Sequence, residues 1–290
     1  MKDLLPAPPR RPSSTFVNGE TRLYGIVGHP VAQAKSPEIV TPALRTLGIN
    51  GVLVPLDIAP ADLACVFPAL LRLGNLDGLV VTVPHKAGVV SHLHRLGPRA
   101  EAAGAASVLA RSADGHWLGE LFDGTGCCTA MENRGVDLAG REVQLLGAGG
   151  AGSAIAVELL TRRPKTLRIH DPDPGRIEAL LARLAPRRGR TTLATGLGPA
   201  EILVNASPVG MRAADDCPVP EDYLTDCLAP GRVVMDCVME PDQTRLLRLA
   251  AEAGAFTVSG REMLDSQIDA ACDFFAHVNA RPAAEVSFPA

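Results

Sequence analysis

Aromatic residues are scarce: seven Phe, two Tyr and one Trp make up 3% of the 290 residues. A surface that stacks nucleic-acid bases would need more of them. A basic excess is missing too, since 28 Lys and Arg face 32 Asp and Glu for a formal net charge of −4. That balance argues against a nucleic-acid partner and against a polybasic membrane-surface protein. It leaves room for a small anionic substrate, which needs only one or two local cations. No run approaches the ~20 apolar residues of a membrane span. The seven Cys (65, 127, 128, 217, 227, 237 and 272) contain no C-x-x-C pair, so zinc-ligand spacing and a disulfide framework are both lacking. Free thiols in a reducing cytoplasm are expected. Residues 1–19 open with interleaved Pro, Ser and charge and carry no apolar stretch, which predicts a disordered leader and not a secretory signal.

What is present is apolar bulk. With 47% hydrophobic and 21% charged residues, the chain can bury a sizeable core. At roughly 150 residues per domain, its length implies about two domains. Short apolar runs at 23–27, 51–56 and 79–83 read as strands, and 37–47 and 60–73 read as helices, with Asp62 near the start of the latter. A second alternation follows: strands at 141–146, 167–170, 201–205, 233–237 and 256–258, and helices at 153–160, 176–184 and 243–253. A last helix over 262–278 carries Met263, Leu264, Ile268, Ala271, Cys272 and Phe275 on one side. Residues 97–126, richer in Gly and Ala, are expected to cross between the two units. Strand–helix alternation of this kind predicts an α/β fold with parallel sheets covered on both faces.

The sharpest local pattern is Gly147-Ala148-Gly149-Gly150-Ala151-Gly152, which follows one expected strand and opens a helix. Glycines there permit a tight turn and close backbone approach, and a helix N-terminus offers free N–H groups to a pyrophosphate. An acidic residue should stand about 20 residues further on, at the end of the next strand, to accept the ribose hydroxyls of NAD. Asp171 fills that place. Its carboxylate would repel the 2′-phosphate of NADP, although Arg162, Arg168 and Arg176 lie near in sequence. Lys86 and Asp123 are loop residues which, taken singly, read as a surface lysine and a turn aspartate. His85 reads as a loop residue, and Ser36-Pro37 as a helix start.

Taken together, these pieces resemble the shikimate/quinate dehydrogenases. The resemblance rests on Gly28-x-Pro30-Val31, Ser36-Pro37, Thr82-x-Pro84-x-Lys86, Asp123-Gly124-x-Gly126 and the Gly147–Gly152 loop. It continues through Asn205-Ala206-Ser207-Pro208-Val209-Gly210-Met211, Asp236, Pro241-x-x-Thr244-x-Leu246-Leu247 and Gly260-x-x-Met263-Leu264-x-x-Gln267, in the family's order over residues 22–278. It implies that Lys86 and Asp123 form the proton-transfer pair and that Ser36, Thr82, Ser107 and Gln267 face the substrate. Asn205, Ser207, Met211 and Gly260 would join the glycine loop and Asp171 around the cofactor. It also implies a substrate domain over 20–126, a Rossmann-like NAD domain over 127–257, and a C-terminal segment, 258–290, returning to the first domain. A cytoplasmic enzyme with a small cyclic hydroxy-acid partner follows, with no metal, and a homodimer is compatible with it. NAD is the expected cofactor ahead of NADP.

The departures are specific. Where the family has Ser-x-Ser this chain has Ala34-Lys35-Ser36. The Asn of Asn-Val-Thr-x-Pro-x-Lys is Val80, and the Asn of Val-Asn-Thr is Ser107. The run Gly119-Glu120-Leu121-Phe122-Asp123-Gly124 replaces Gly-Asp-Asn-Thr-Asp-Gly, a tyrosine becomes Met239, and the Asn-Arg-Thr of NADP users is His170-Asp171-Pro172. Val80, Ala34 and Leu121 are expected to strip hydrogen bonds from a shikimate ring and so raise its KM. Two alternatives stay open: a paralogue acting on a less hydroxylated substrate, and a non-catalytic NAD-binding sensor.

Overall fold

The computed structural model describes residues 17–211 and 216–289. Most of the expected leader lies outside them. At its end, Asn18 accepts the Asn50 side-chain amide and the Glu20 N–H on its own side-chain carbonyl.

Two six-stranded sheets carry the chain. The first is built from β1 (Arg22–Gly28), β2 (Gly51–Asp57), β3 (Leu76–Val81), β4 (Arg95–Leu96), β5 (Val108–Arg111) and β6 (Trp117–Glu120), in the order β2-β1-β3-β5-β6-β4. Helices α1 (Ser36–Thr46) and α2 (Leu63–Leu70) make the crossovers that keep β1, β2 and β3 parallel. The expectation of a wholly parallel sheet fails beyond them, because β5 runs antiparallel to both β3 and β6. Residues assigned to an inter-domain crossing instead form α3 (Pro98–Ala103) and the β5–β6 hairpin. The turn is closed by Ser112, whose N–H reaches His116 O and whose hydroxyl bonds His116 O and the Asp114 carboxylate. Each strand of that hairpin is four residues long, too short for a readable alternation.

The second sheet holds β7 (Glu142–Leu146), β8 (Thr166–His170), β9 (Thr192–Thr195), β10 (Ile202–Asn205), β11 (Val233–Asp236) and β12 (Phe256–Val258), parallel throughout. Its order, β9-β8-β7-β10-β11-β12, is that of a doubly wound dinucleotide fold, with the reversal of direction between β7 and β10. Helices α5 (Gly150–Thr161), α6 (Pro174–Leu184), α7 (Glu221–Cys227) and α8 (Arg245–Glu252) connect its strands.

Two further helices tie the sheets together, α4 (Asp123–Asn133) and α9 (Gly260–Asn279). α9 begins at a full capping box between Ser259 and Glu262, which satisfies two N-terminal donors at once. Its buried face returns to the first sheet. The Phe275 ring lies 5.0 Å from that of Tyr24, and a Cβ on Gly78 would come within 2.5 Å of Phe275. Burying such a phenylalanine contributes about 1.5–3 kcal/mol. α4 is held from two sides. A Cβ on Gly124 would stand 2.4 Å from the Ala154 carbonyl of α5, and one on Gly126 would stand 2.8 Å from the Met263 carbonyl of α9. The glycines after Asp123 therefore let α4 seat against both neighbours, which fixes where its first residue lies.

Candidate active site

Lys86 reaches its position through backbone anchors. Thr82 N–H continues the ladder to Val27 O, the Val83–Pro84 peptide is cis, and Ala106 N–H donates to Lys86 O at 2.9 Å. The His85 ring is buried with Nε2 2.6 Å from Ile58 O, so it holds the loop and does not face a cleft. The Lys86 ammonium pairs with Asp123 Oδ1, their side chains being 18% and 7% exposed. Asp123 opens α4, where an anion meets the positive end of the helix. Its second oxygen, Oδ2, is buried without a hydrogen-bond partner among the described residues. A cation with a spare donor beside a carboxylate with a spare acceptor can exchange a hydroxyl proton.

The glycine loop has the shape a pyrophosphate needs. Gly147 has φ +97°, where a side chain would be strained, and its N–H donates to His170 O at 2.7 Å. A Cβ on Gly152 would strike the Gly147 carbonyl at 2.0 Å, so the turn closes only with glycine at that position. Around Gly149 and Gly150 nothing stands within 4 Å of where a Cβ would be, leaving an open cradle over the first turn of α5. Asp171, nine-tenths buried, accepts Ala148 N–H at 2.8 Å and Asp173 N–H at 2.9 Å. Burial works against its charge, but those two N–H groups and the nearby Arg176 outweigh it and hold the carboxyl below its ordinary value. The residues present thus fit an adenine dinucleotide.

Known proteins resemble this chain over most of its length. The family model described as the shikimate dehydrogenase substrate binding domain matches residues 26–109. A shikimate dehydrogenase (NADP(+)) of Rubrobacter xylanophilus is 40% identical over 255 residues, covering 86% of this chain and 88% of the relative. The chain belongs to the shikimate/quinate dehydrogenase family. Among solved structures, shikimate 5-dehydrogenase from Listeria monocytogenes in complex with shikimate and NAD is 27% identical with a TM-score of 0.80, over 91% of this chain and 94% of that one. The 5-ketofructose reductase of a Gluconobacter strain is 26% identical with a TM-score of 0.79, over 88% and 92% of the two chains. Family membership makes this chain an NAD(P)-dependent oxidoreductase. Among the described residues no helix is long and apolar enough to cross a membrane, and no group of His, Cys, Asp or Glu is placed to hold a metal.

This dehydrogenase distributes the other expected site residues unevenly. Thr82 and Gln267 are half-buried, Thr82 past the end of β3 and Gln267 on the α9 face that meets Gly126. Ser36 is buried as the first residue of α1; Lys35 takes the cap position and no side chain caps the helix. Ser107 is fully buried, and its hydroxyl accepts Phe122 N–H at 3.0 Å, one residue before Asp123. Asn205 is buried as well. It receives the Ser207 N–H and hydroxyl and donates to Asp236 at 2.9 Å, shaping the loop that leads to Met211, which is exposed. Thr244 closes that network at 2.7 Å from Asp236, whose carboxyl is pushed up by burial. Gly260 starts α9, where a Cβ would be 2.4 Å from Val238 O.

One expectation is corrected. Leu121 is 1% exposed and packs with Val27 and Ala154 in the core, so it does not flank the ring of a substrate. Strand alternation decides this: Leu121 continues the face of β6 that carries Trp117 into the same core cluster, and Leu118 takes the opposite face. Ala34 and Val80 each pack, partly buried, against the cluster that contains Val31, Val40 and Phe122. Two supporting carboxylates were not foreseen. Glu120 takes Ala100 N–H at 2.9 Å and Leu121 N–H at 2.8 Å and is pushed up by burial. Glu158 pairs with Arg99 from α3 and with Arg162. A lone Glu in the apolar run Ala154–Leu160 was a usable signal; Arg99 offered none.

Proposed function

We propose that this enzyme interconverts a cyclic hydroxy acid of the shikimate or quinate type and its ketone, with residues 20–126 holding the substrate and 127–257 the dinucleotide. In this reading 258–290 return Gln267 to the cleft, and NAD is preferred over NADP. The Lys86–Asp123 pair carries it. Gly124 seats Asp123 against Ala154 of α5, the helix the glycine loop opens, which supports a cleft shared by the pair and the dinucleotide. The bound nicotinamide supplies a hydride acceptor. In oxidation the neutral amine of Lys86 takes the hydroxyl proton and becomes the ammonium; in reduction the ammonium gives that proton to the carbonyl oxygen. Asp123 holds the ammonium form in place, while Oδ2 remains able to accept from the substrate.

Preference for NAD rests on Asp171. Its carboxylate is fixed by two backbone donors and stays anionic at neutral pH, so a 2′-phosphate beside it would meet a like charge. Arg162 is engaged at the far end of α5 with Glu132 and Glu158, and Arg168 reaches Thr195 O. Arg176, paired with Asp173 at 3.5 Å, favours the charged form of Asp171. The relative from Rubrobacter xylanophilus is named for NADP(+), which makes the test decisive. We expect kcat/KM to be higher with NAD, and Asp171→Ala to narrow the gap. Equal or better use of NADP by the unmodified enzyme overturns the preference.

A second reading, a less hydroxylated substrate, is favoured by the apolar surface that Ala34 and Val80 each add to the cluster containing Val31, Val40 and Phe122. A ring hydroxyl meeting it would lose a partner, at about 1–3 kcal/mol. Shikimate is then expected to have a high KM. Val80→Asn with Ala34→Ser should raise its kcat/KM about tenfold or more, equal to one recovered bond of ~1.4 kcal/mol. A micromolar KM in the unmodified enzyme rejects this reading. Turnover of any cyclic hydroxy acid with NAD or NADP rejects an idle sensor.

A further inference from the structure

The C-terminal segment does more than cover the first sheet. After α9, Arg281 O accepts Ala113 N–H at 2.8 Å and Ala283 N–H donates to Asp114 at 3.0 Å, so the chain is led back along the β5–β6 turn. Arg95 then grips it, donating to the carbonyls of Ala283 and Val286 and placing its guanidinium 5.3 Å over the Phe288 ring. Phe288 stacks on Phe274 at 6.0 Å, and Phe274 meets Phe122 edge-on at 5.6 Å. Phe122 is the residue before Asp123. Its backbone N–H is held by Ser107 and its carbonyl takes Gly126 N–H, so the ring stands on backbone that is hydrogen-bonded into the first turn of α4. Gly97 completes the seat, since a Cβ there would lie 2.6 Å from Phe288. One residue further, Pro289 O accepts from Arg99, the same guanidinium that pairs with Glu158 on α5.

We infer that Phe288 is a positioning residue for the Asp123 carboxylate, acting through Phe274 and Phe122, with Arg95 as the clamp that keeps it seated. The inference rests on the reading of Asp123 as half of the proton-transfer pair. Aromatic pairs in offset or edge-to-face arrangement add about 0.5–1.5 kcal/mol each beyond the area they bury, so the row acts as a wedge that favours one seat for Phe122. A misplacement of about 1 Å at a reacting group can cost up to 10²-fold in rate. A wedge that fixes Phe122 therefore matters to chemistry and not to dinucleotide binding, which lies on the other sheet.

The test is a double-mutant cycle on single-turnover hydride transfer, with KM and thermal midpoint measured for every variant. Phe288→Ala should lower kcat roughly tenfold while the KM for the dinucleotide stays unchanged, and Phe288→Leu should restore most of the loss. In an Asp123→Asn background, Phe288→Ala should cost nothing further, because the group it places is gone. If Phe288→Ala does not fold, Arg95→Met carries the same test, with the same loss of kcat and the same absence of effect beside Asp123→Asn. Full kcat in these variants, or an equal loss with and without the Asp123 carboxylate, overturns the proposal. Near-normal turnover by Asp123→Asn alone would instead strike the reading of Asp123 and leave a different signature in the cycle.

Discussion

Lys86→Met should lower kcat by roughly 10²–10⁴, the range usual for a lost general acid or base, with dinucleotide affinity barely changed. Among the described residues the ammonium is the one donor paired with the Asp123 carboxylate, and both groups are largely withdrawn from water. Methionine fills the same volume without a proton to exchange, so packing is kept while chemistry is lost. Lys86→Arg should do almost as badly, because a guanidinium stays protonated and cannot take the substrate proton. Asp123→Asn should also lower kcat, since an amide does not hold a cation as a carboxylate does. Binding is expected to survive because the pyrophosphate and ribose contacts are assigned to the glycine loop after β7 and to Asp171 after β8, and not to Lys86. Titration of NAD against each variant measures that half of the prediction, and single-turnover absorbance of the nicotinamide measures the other. Near-normal turnover by Lys86→Met refutes Lys86 as the proton donor.

Glu158→Ala should destabilise the fold by about 3–5 kcal/mol, the usual cost of leaving a buried charge without its partner. Glu158 is fully buried and Arg99 is 10% exposed in its side chain, so neither can turn to solvent if the other is removed. Arg162 also bonds Glu158, but it keeps Glu132 at 2.9 Å and loses less. The pair joins α3 of the first unit to α5 of the second, so its removal weakens the contact between the units as well as the core. Replacing both partners, Arg99→Met with Glu158→Met, should recover most of the stability, because two apolar side chains of similar volume leave no charge stranded. Thermal or urea unfolding checks this, and a double variant as unstable as Glu158→Ala rejects the explanation.

Much of the architecture was readable from local pattern. The second sheet follows the expected runs to within a few residues, because parallel strands buried on both faces are written as continuous apolar stretches. The glycine loop was readable for a similar reason. Gly147 and Gly152 are required by the turn itself, so a local constraint is stamped on the sequence. The hairpin of β5 and β6 was missed because its four-residue strands are too short to show a period. α7 and the edge strand β9 were missed too, β9 being half-exposed and without an apolar run.

The candidate site divides in the same way. Sequence alone placed Lys86 after a strand, Asp123 before a glycine pair and Asp171 after the next strand of a dinucleotide motif, and motif order tied them to one family. Those features are local in the chain, where backbone geometry restricts the residue at each step. Only the tertiary structure decided that Leu121 turns into the core, that Ser107 is spent on Phe122 N–H, and that Asp171 is fixed by Ala148 and Asp173. It also brought Phe288 to Phe274 and Phe122, and Arg99 to Glu158. Apart from the local Asp171–Asp173 turn, each of these depends on which face of an element meets which neighbour from elsewhere in the chain. No spacing or composition encodes that, because the partners are joined by packing and not by sequence.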